Sequence, residues 1–307
     1  MEDLENQVEL ESILDCFKKA STEEESNPIE SNQQNEAFSP PLLEEETGGG
    51  EPASKLVRKF HFIEVFDTWQ GEGPDTGKAC VLVRFKECNR CKGIDIFGCA
   101  GPVKPCPWCD TMVKMRVYEE SEYTIEQINR KTGENKLLLI TGGEPGFYMK
   151  ETLSLILLSK ATSINVETNG MNLQIMLQTL TLEKKPRKKR VAFMYSPKIF
   201  SDSDLSYNLH MVNLIASYFD PEYNKKVGNR SVEIYLKLVY GPKEKEDPRI
   251  EIYLKEITKI IPSNKIWIMP EGGTTKDLLS NFPVAVDKAE ELNCNISPRL
   301  HLMYNFV

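Results

Sequence analysis

The sequence predicts an α/β fold: a partial (β/α)6 barrel, TIM-like, over residues 56–307, behind an acidic and disordered extension at 1–55. Three observations carry this. Short apolar runs alternate with helix-patterned segments about six times along the body. The runs lack clean two-fold alternation, as parallel strands buried on both faces do. Unusual polar residues gather just after the runs, at the edge where parallel α/β folds bind ligands. A closed eight-stranded barrel needs about 250 residues. The body has that length but only some six repeats, so a partial barrel is expected.

The elements follow in order. Residues 60–66 read as a strand and 67–77 as a polar, Gly-rich loop. Residues 79–85 form a compact apolar strand that runs into a cysteine region. Residues 124–130 predict a helix capped by Thr124. A strand at 136–140 ends in Thr141-Gly142-Gly143-Glu144-Pro145-Gly146. Then come a helix at 150–160, a strand at 163–167, a helix at 172–182 and a strand at 191–195 ending in Ser196-Pro197-Lys198. The remainder predicts helix 209–219, strand 233–239, helix 250–260, strand 265–268 ending in Met269-Pro270-Glu271-Gly272-Gly273, and helix 275–280.

The chain has 307 residues and a formal net charge of -8. The acid is concentrated: residues 1–52 hold 15 Asp/Glu against 2 Lys/Arg, and the rest holds 31 against 36. The stretch 21–52 is rich in Glu, Ser, Asn, Pro and Gly. It cannot bury enough apolar surface to offset its ordering entropy. A short helix at 9–20 is the one local pattern there. The body, at +5, suits a small anionic substrate. No apolar run reaches the roughly 18 residues of a membrane span. The N-terminus lacks the basic and apolar regions of a signal peptide, so a cytoplasmic location is expected.

Of 8 Cys, five fall at 88, 91, 99, 106 and 109. A disulfide scaffold would scatter them along a short chain. This cluster reads as a metal or iron–sulfur site in a reducing compartment. Thiolates suit both zinc and iron–sulfur clusters, and the pairs 88/91 and 106/109 alone leave both open.

Further segments narrow the choice. Phe66–Gly73 (FDTWQGEG), Val83–Asn89 (VRFKECN), Cys106–Thr111 (CPWCDT), Thr141–Pro145 (TGGEP) and Glu167–Gly170 (ETNG) together resemble the 7-carboxy-7-deazaguanine synthases, which are radical S-adenosylmethionine enzymes. Ser196–Lys198, Met269–Gly272 and Ser297–His301 add to the resemblance, which spans about 60–307 and leaves the acidic N-terminus outside.

The resemblance implies a homodimer with the partial barrel of the radical S-adenosylmethionine type. It also implies a [4Fe-4S] cluster on three cysteines and S-adenosylmethionine chelating the open iron. The substrate would be 6-carboxy-5,6,7,8-tetrahydropterin. The 5'-deoxyadenosyl radical takes hydrogen from its C6, the ring contracts, ammonia leaves and 7-carboxy-7-deazaguanine forms, with Mg2+ assisting. A flavodoxin or ferredoxin is the implied electron donor. The queuosine and other deazapurine routes fit the product equally.

Residue by residue, the resemblance implies Cys88, Cys106 and Cys109 as cluster ligands. Cys91 is a rival for the first position: 17 residues separate Cys88 from Cys106, and 14 separate Cys91 from it. The long gap, Cys99 within it and Glu87 where a small residue commonly stands depart from the family pattern. Trp108, Cys109, Asp110, Gly142, Gly143, Glu144, Ser196, Pro197, Lys198, Ile268, Met269, Pro270 and Glu271 are implied S-adenosylmethionine contacts. Thr111 is the implied Mg2+ ligand, chemically reasonable because Mg2+ takes oxygen ligands. Trp69, Gln70, Gly71, Glu72, Arg84, Thr141 and Val307 are implied around the substrate, and His301 frames that region. The Arg84 fork suits a carboxylate, and a strand salt bridge is its other reading. Glu72 could accept from pterin nitrogens or cap a helix. Glu167 could hold a hydroxyl or amine, or be structural.

Two other functions stay open at this level. A glycyl-radical-enzyme activase would share the cofactors but act on a protein. A zinc-knuckle protein for nucleic acid would use the cysteines alone. The basic run at 184–190 resembles a nucleic-acid patch, but it lies between a helix and a strand and reads as a solvated loop.

Overall fold

The computed structural model describes residues 57–101, 103–106, 109, 117–182, 189–220, 223 and 231–304. The proposed extension, its short helix and most of the basic run lie outside these residues.

Two small strands open the body. β1 (Lys59–Phe62) pairs antiparallel with β4 (Ser121–Thr124) as a separate ribbon. The main sheet has eight strands in the order β10-β9-β8-β7-β6-β5-β3-β2. They are β2 (Glu64–Trp69), β3 (Ala79–Phe85), β5 (Leu137–Gly142), β6 (Ser163–Thr168), β7 (Arg190–Tyr195), β8 (Val232–Tyr240), β9 (Ile266–Pro270) and β10 (Asn295–Ile296). From β3 to β10 every pairing is parallel, and β2 alone runs antiparallel, against β3. Among the described residues β2 and β10 are the sheet's two edges. The expected partial barrel is therefore the observed one, with six long parallel strands from β3 to β9.

The helices are α1 (Ile125–Thr132), α2 (Met149–Leu158), α3 (Leu173–Leu182), α4 (Asp202–Ile215), α5 (Pro242–Glu246), α6 (Pro248–Ile257), α7 (Thr275–Glu291) and α8 (Leu300–Tyr304). Local chemistry sets their starts. Thr124 closes a capping box with Gln127 at the head of α1. The Ser201 and Thr274 hydroxyls accept from the backbone of Asp204 and Asp277 at α4 and α7.

Both sheet faces are buried, which explains the missing alternation. Leu138 and Ile140, Ile164 and Val166, Val191 and Phe193 join the core under the helices. Their neighbours point inward: Cys80, Leu82, Leu137 and Leu139 form a second apolar cluster. Above that inner cluster the inward positions turn polar, and the site begins there.

Several boundaries differ from expectation. The single strand at 60–66 is two strands broken at Ile63, and β2 continues to Trp69, inside the expected loop. Helix α4 starts at Asp202 rather than 209, because Ser201 caps it and Asp202 and Asp204 suit the positive end of the helix dipole. Helix α7 runs to Glu291 rather than stopping at 280. Pro283 lies inside it, and Leu278, Ala285 and Ala289 pack beneath. Among the described residues, no helix is long and apolar enough to cross a membrane.

Candidate active site

The inward positions at the C-terminal ends of the strands open into one cavity of about 360 Å3. Period-two geometry selects them: Leu82 and Arg84 on β3, Leu139 and Thr141 on β5, Glu167 on β6, Lys237 and Val239 on β8, and Met269 on β9. The strand ends at Thr68, Trp69, Gly142 and Thr168 and the segments beyond them complete the lining with Gln70 to Glu72, Gly143 and Glu144, Asn169, Ser196 and Lys198, Glu271 and Gly272, and Arg299, His301 and Leu302.

Three cysteines, Cys88, Cys106 and Cys109, open onto this cavity, and Cys91 is not among its lining residues. Cys88 follows β3 directly. Asn169, in the loop after β6, donates from Nδ2 to the Cys88 sulfur at 3.8 Å and to Asn89 Oδ1 at 2.8 Å. Cys91 sits on the 3-10 turn Asn89–Lys92, its thiol hydrogen-bonded to that of Cys88. Burial pushes the Cys106 thiol up, while Lys198 beside it acts in the other direction. Lys198 faces the charges of all three cavity cysteines, is held by Ser196 Oγ at 2.8 Å, and has its own pKa lowered by burial.

These donors fit the iron–sulfur cluster that the sequence implies. Three soft thiols converge on a cavity with a cation beside them, and an amide aimed at one sulfur is a recognised lever on cluster potential. Among the described residues, no three His, Cys, Asp or Glu side chains close around a single metal ion. A four-iron cluster is wider than one ion and needs its thiolates further apart.

A buried polar network makes up another part of the lining. The Lys237 ammonium contacts the carboxylates of both Glu72 and Glu167. Arg299 Nε donates to Glu72 at 3.1 Å, His301 lies 3.8 Å from the same carboxylate, and Gln70 Nε2 donates to Glu167 at 3.2 Å. Burial alone would raise the Glu72 carboxyl, but Lys237, Arg299 and His301 hold it well below the usual carboxylate range. For Glu167 burial wins, and its pKa is raised. Burial would deprotonate Lys237, yet the two carboxylates raise its pKa. Two anions and two cations thus neutralise each other in a water-poor site, where such pairing is obligatory.

Arg84 lines the cavity, and its Nε also pairs with Glu64 at 2.5 Å across the β2–β3 register. The strand salt bridge read for Arg84 in the sequence is thus present, on a side chain that also reaches the cavity lining. Glu144 is bracketed by donors: Gly146 N at 2.7 Å, Thr168 Oγ1 at 2.5 Å and Asn169 N at 2.6 Å, and burial still raises its pKa to about 7. It ties the loop after β5 to the loop after β6.

The glycines have a structural reason as well. A Cβ on Gly143 would stand 1.8 Å from Glu87 O, and one on Gly142 2.3 Å from Phe85 O. The loop after β5 therefore lies flat against the chain leading to Cys88, with Gly143 N and Glu144 N donating to Phe85 O and Glu87 O. A Cβ on Gly71 would meet His301 Nδ1 at 2.2 Å, which brings the C-terminal segment onto the 69–72 loop.

Of the residues singled out in the sequence, Pro197, Ile268 and Pro270 are not among the cavity's lining residues. Ile268 instead joins the helix-facing core. Trp108, Asp110, Thr111 and Val307 lie outside the described residues. Sequence reasoning missed Lys237, Asn169 and Arg299 as site residues. Lys237 had a signal: it is the one lysine in the apolar strand Val232–Tyr240 (VEIYLKLVY), and a charge buried on both sides needs partners.

No family model matches the chain. Among curated proteins, the 7-carboxy-7-deazaguanine synthase of Hyperthermus butylicus is 27% identical over 257 residues, 81% of this chain and 94% of that protein. Those of Haemophilus influenzae and Nitratidesulfovibrio vulgaris are 35% and 34% identical, over 36% of this chain in each case. Those two matches span about half the relatives' own length, 46% and 56%. Among solved structures, the crystal structure of QueE from Escherichia coli is similar with a TM-score of 0.44 and 21% identity, over 78% of this chain and 93% of that one.

Proposed function

We propose that the chain is a member of the 7-carboxy-7-deazaguanine synthase family, on the strength of its similarity to those enzymes, and that it converts 6-carboxy-5,6,7,8-tetrahydropterin to 7-carboxy-7-deazaguanine with release of ammonia. Membership carries lyase-type enzymatic activity and dependence on S-adenosylmethionine and an iron–sulfur cluster. The observation that supports the specific reaction is one cavity lined both by Cys88, Cys106 and Cys109 and by the Glu72–Lys237–Glu167 network.

In this reading the three cysteines hold the [4Fe-4S] cluster, with Ser196, Lys198 and the 142–144 and 269–271 segments around S-adenosylmethionine, and Thr111 holds Mg2+. When bound, these groups supply radical removal of the hydrogen at C6 of the pterin. The chain's own residues select and orient the substrate. Glu72 and Glu167 accept from the N–H edge of the pterin, and Gln70 offers both a donor and an acceptor. Lys237 offsets the burial of the two carboxylates and holds them fixed, so they need not reorganise when substrate enters. Arg84, steadied by Glu64, and Arg299, steadied by Glu72 and Gly272, set positive charge toward the substrate carboxylate. The body's net of +5 favours the same anion. A homodimer and a soluble one-electron donor of the flavodoxin or ferredoxin type complete the reading.

The test is incubation of anaerobically reconstituted chain with reductant, S-adenosylmethionine and the carboxytetrahydropterin. The expected product is the deazaguanine acid, from protein holding about four irons per chain. Zinc without iron after native purification would sink the reading. Cleavage of S-adenosylmethionine without the deazaguanine would point to another substrate.

A further inference from the structure

The 17 residues between Cys88 and Cys106 fold back on themselves. Ile94 and Ala100 form an antiparallel bridge, Gly101 N donates to Gly93 O at 3.0 Å, and Asp95 accepts from Phe97 N and Cys99 N at 2.8 and 2.9 Å. The insert is thus a closed hairpin, and its two ends return close together.

One side chain fastens those ends. Arg90, 2% exposed, lies between Cys88 and Cys91. Its Nε donates to Lys104 O at 2.9 Å, two residues before Cys106. Its two Nη atoms meet the Asp204 carboxylate at 2.7 and 3.2 Å, and its guanidinium carbon stands 5.1 Å from the centre of the Phe200 ring. Asp204 is itself anchored on α4, accepting from Phe200 N at 3.0 Å. Between Cys88 and Arg90, Asn89 is wholly buried and donates to Ile94 O and Asp95 O at 2.9 and 3.1 Å.

We infer that Arg90 is a positioning residue that selects the cluster ligands: it pins the turn Asn89–Lys92 to the loop at Lys104, so that Cys88, and not Cys91, shares the cavity with Cys106 and Cys109. The inference rests on the cluster reading above. For Cys91 to take the first position the turn would have to roll. Arg90 would then leave a forked, buried ion pair and a ring face, and Asp204 would be left unpaired out of water. The same contacts explain how a gap of 17 residues can serve where a short one would do. The hairpin removes the excess length, and Arg90 closes its base.

The test compares C88S, C91S, R90M and the double variant R90M/D204N with the wild-type full chain, each reconstituted anaerobically. Iron and sulfide content, the electron paramagnetic resonance of the reduced cluster, and its lifetime against a chelator are read. Thermal unfolding of each apo form reports the fold separately. D204N accompanies R90M because it removes the stranded charge while keeping an acceptor for Phe200 N. The expected result is a wild-type cluster in C91S and loss of cluster in C88S. In R90M/D204N the cluster should be lost to chelator at least tenfold faster, with an altered resonance signal and an intact fold. A cluster kept by C88S and lost in C91S would overturn the inference, as would R90M/D204N with wild-type signal and lifetime. In either case wild type still holds its cluster, so the functional reading stands. Wild type that takes up no cluster at all sinks both.

Discussion

Lys237 shows how much a single side chain can organise. It is 3% exposed, and its ammonium is shared by two carboxylates from loops or strands 70 and 165 residues away. Removing one member of such a buried set leaves uncompensated charge, which costs about 3–5 kcal/mol. Lys237→Met should therefore destabilise the apo protein by about that much near pH 7, measured by urea unfolding. The pH dependence has a definite sign. Glu72 has a folded pKa held below its ordinary 4.5, so its contribution is present above about pH 4.5 and is lost as pH falls below it. In the variant the two carboxylates face each other and protonate more readily on acidification, which relieves the penalty. The gap between the two proteins should narrow from about pH 7 to about pH 4, and a constant gap would count against the network as described. Carboxylates placed beside a motif, such as Glu72, were legible from the sequence. Their cation was not, because Lys237 and Glu72 meet only when β8 folds against the inner face.

At the scale of elements, the loop after β5 carries the closest packing in the site. Gly143 has no room for a Cβ because backbone, not a side chain, occupies the space at Glu87. Gly143→Ala should destabilise by about 1–3 kcal/mol through overpacking, and it should also lower the iron bound per chain, since the displaced segment is the one leading into Cys88. Normal iron content in a folded G143A protein would show that the two loops can separate without harm to the cysteine site. Sequence pattern located this loop, and the strands around it, because apolar runs bounded by glycine are local signals. It misplaced the starts of α4 and the end of α7 because Ser201 and Pro283 act through context: a cap needs its first turn, and an internal proline is tolerated when the turns beyond it are buried. It read the segment to Gly77 as loop because β2 owes its last residues to pairing with β3.

At the scale of the molecule, the acidic segment and the body divide the charge of the chain between them, -13 and +5. Every residue lining the cavity falls between 68 and 302. Deletion of residues 1–55 should leave iron content and deazaguanine formation within about twofold of the full chain, a range within the approximately 0.4 kcal/mol that such a factor represents. A larger loss would give the extension a part in the chemistry. The sequence by itself determined the repeat order, the partial barrel and the cysteine, Gly-Gly-Glu-Pro and Glu-Thr-Asn-Gly motifs, because periodicity and short motifs are properties of neighbouring residues. Only the tertiary structure decided which inward positions are charged together, that Asn169 reaches Cys88, and that Arg90 joins the two ends of the cysteine insert. Those contacts link residues separated by 14 to 165 positions, and nothing in local propensity encodes a partner that only folding brings within hydrogen-bond reach.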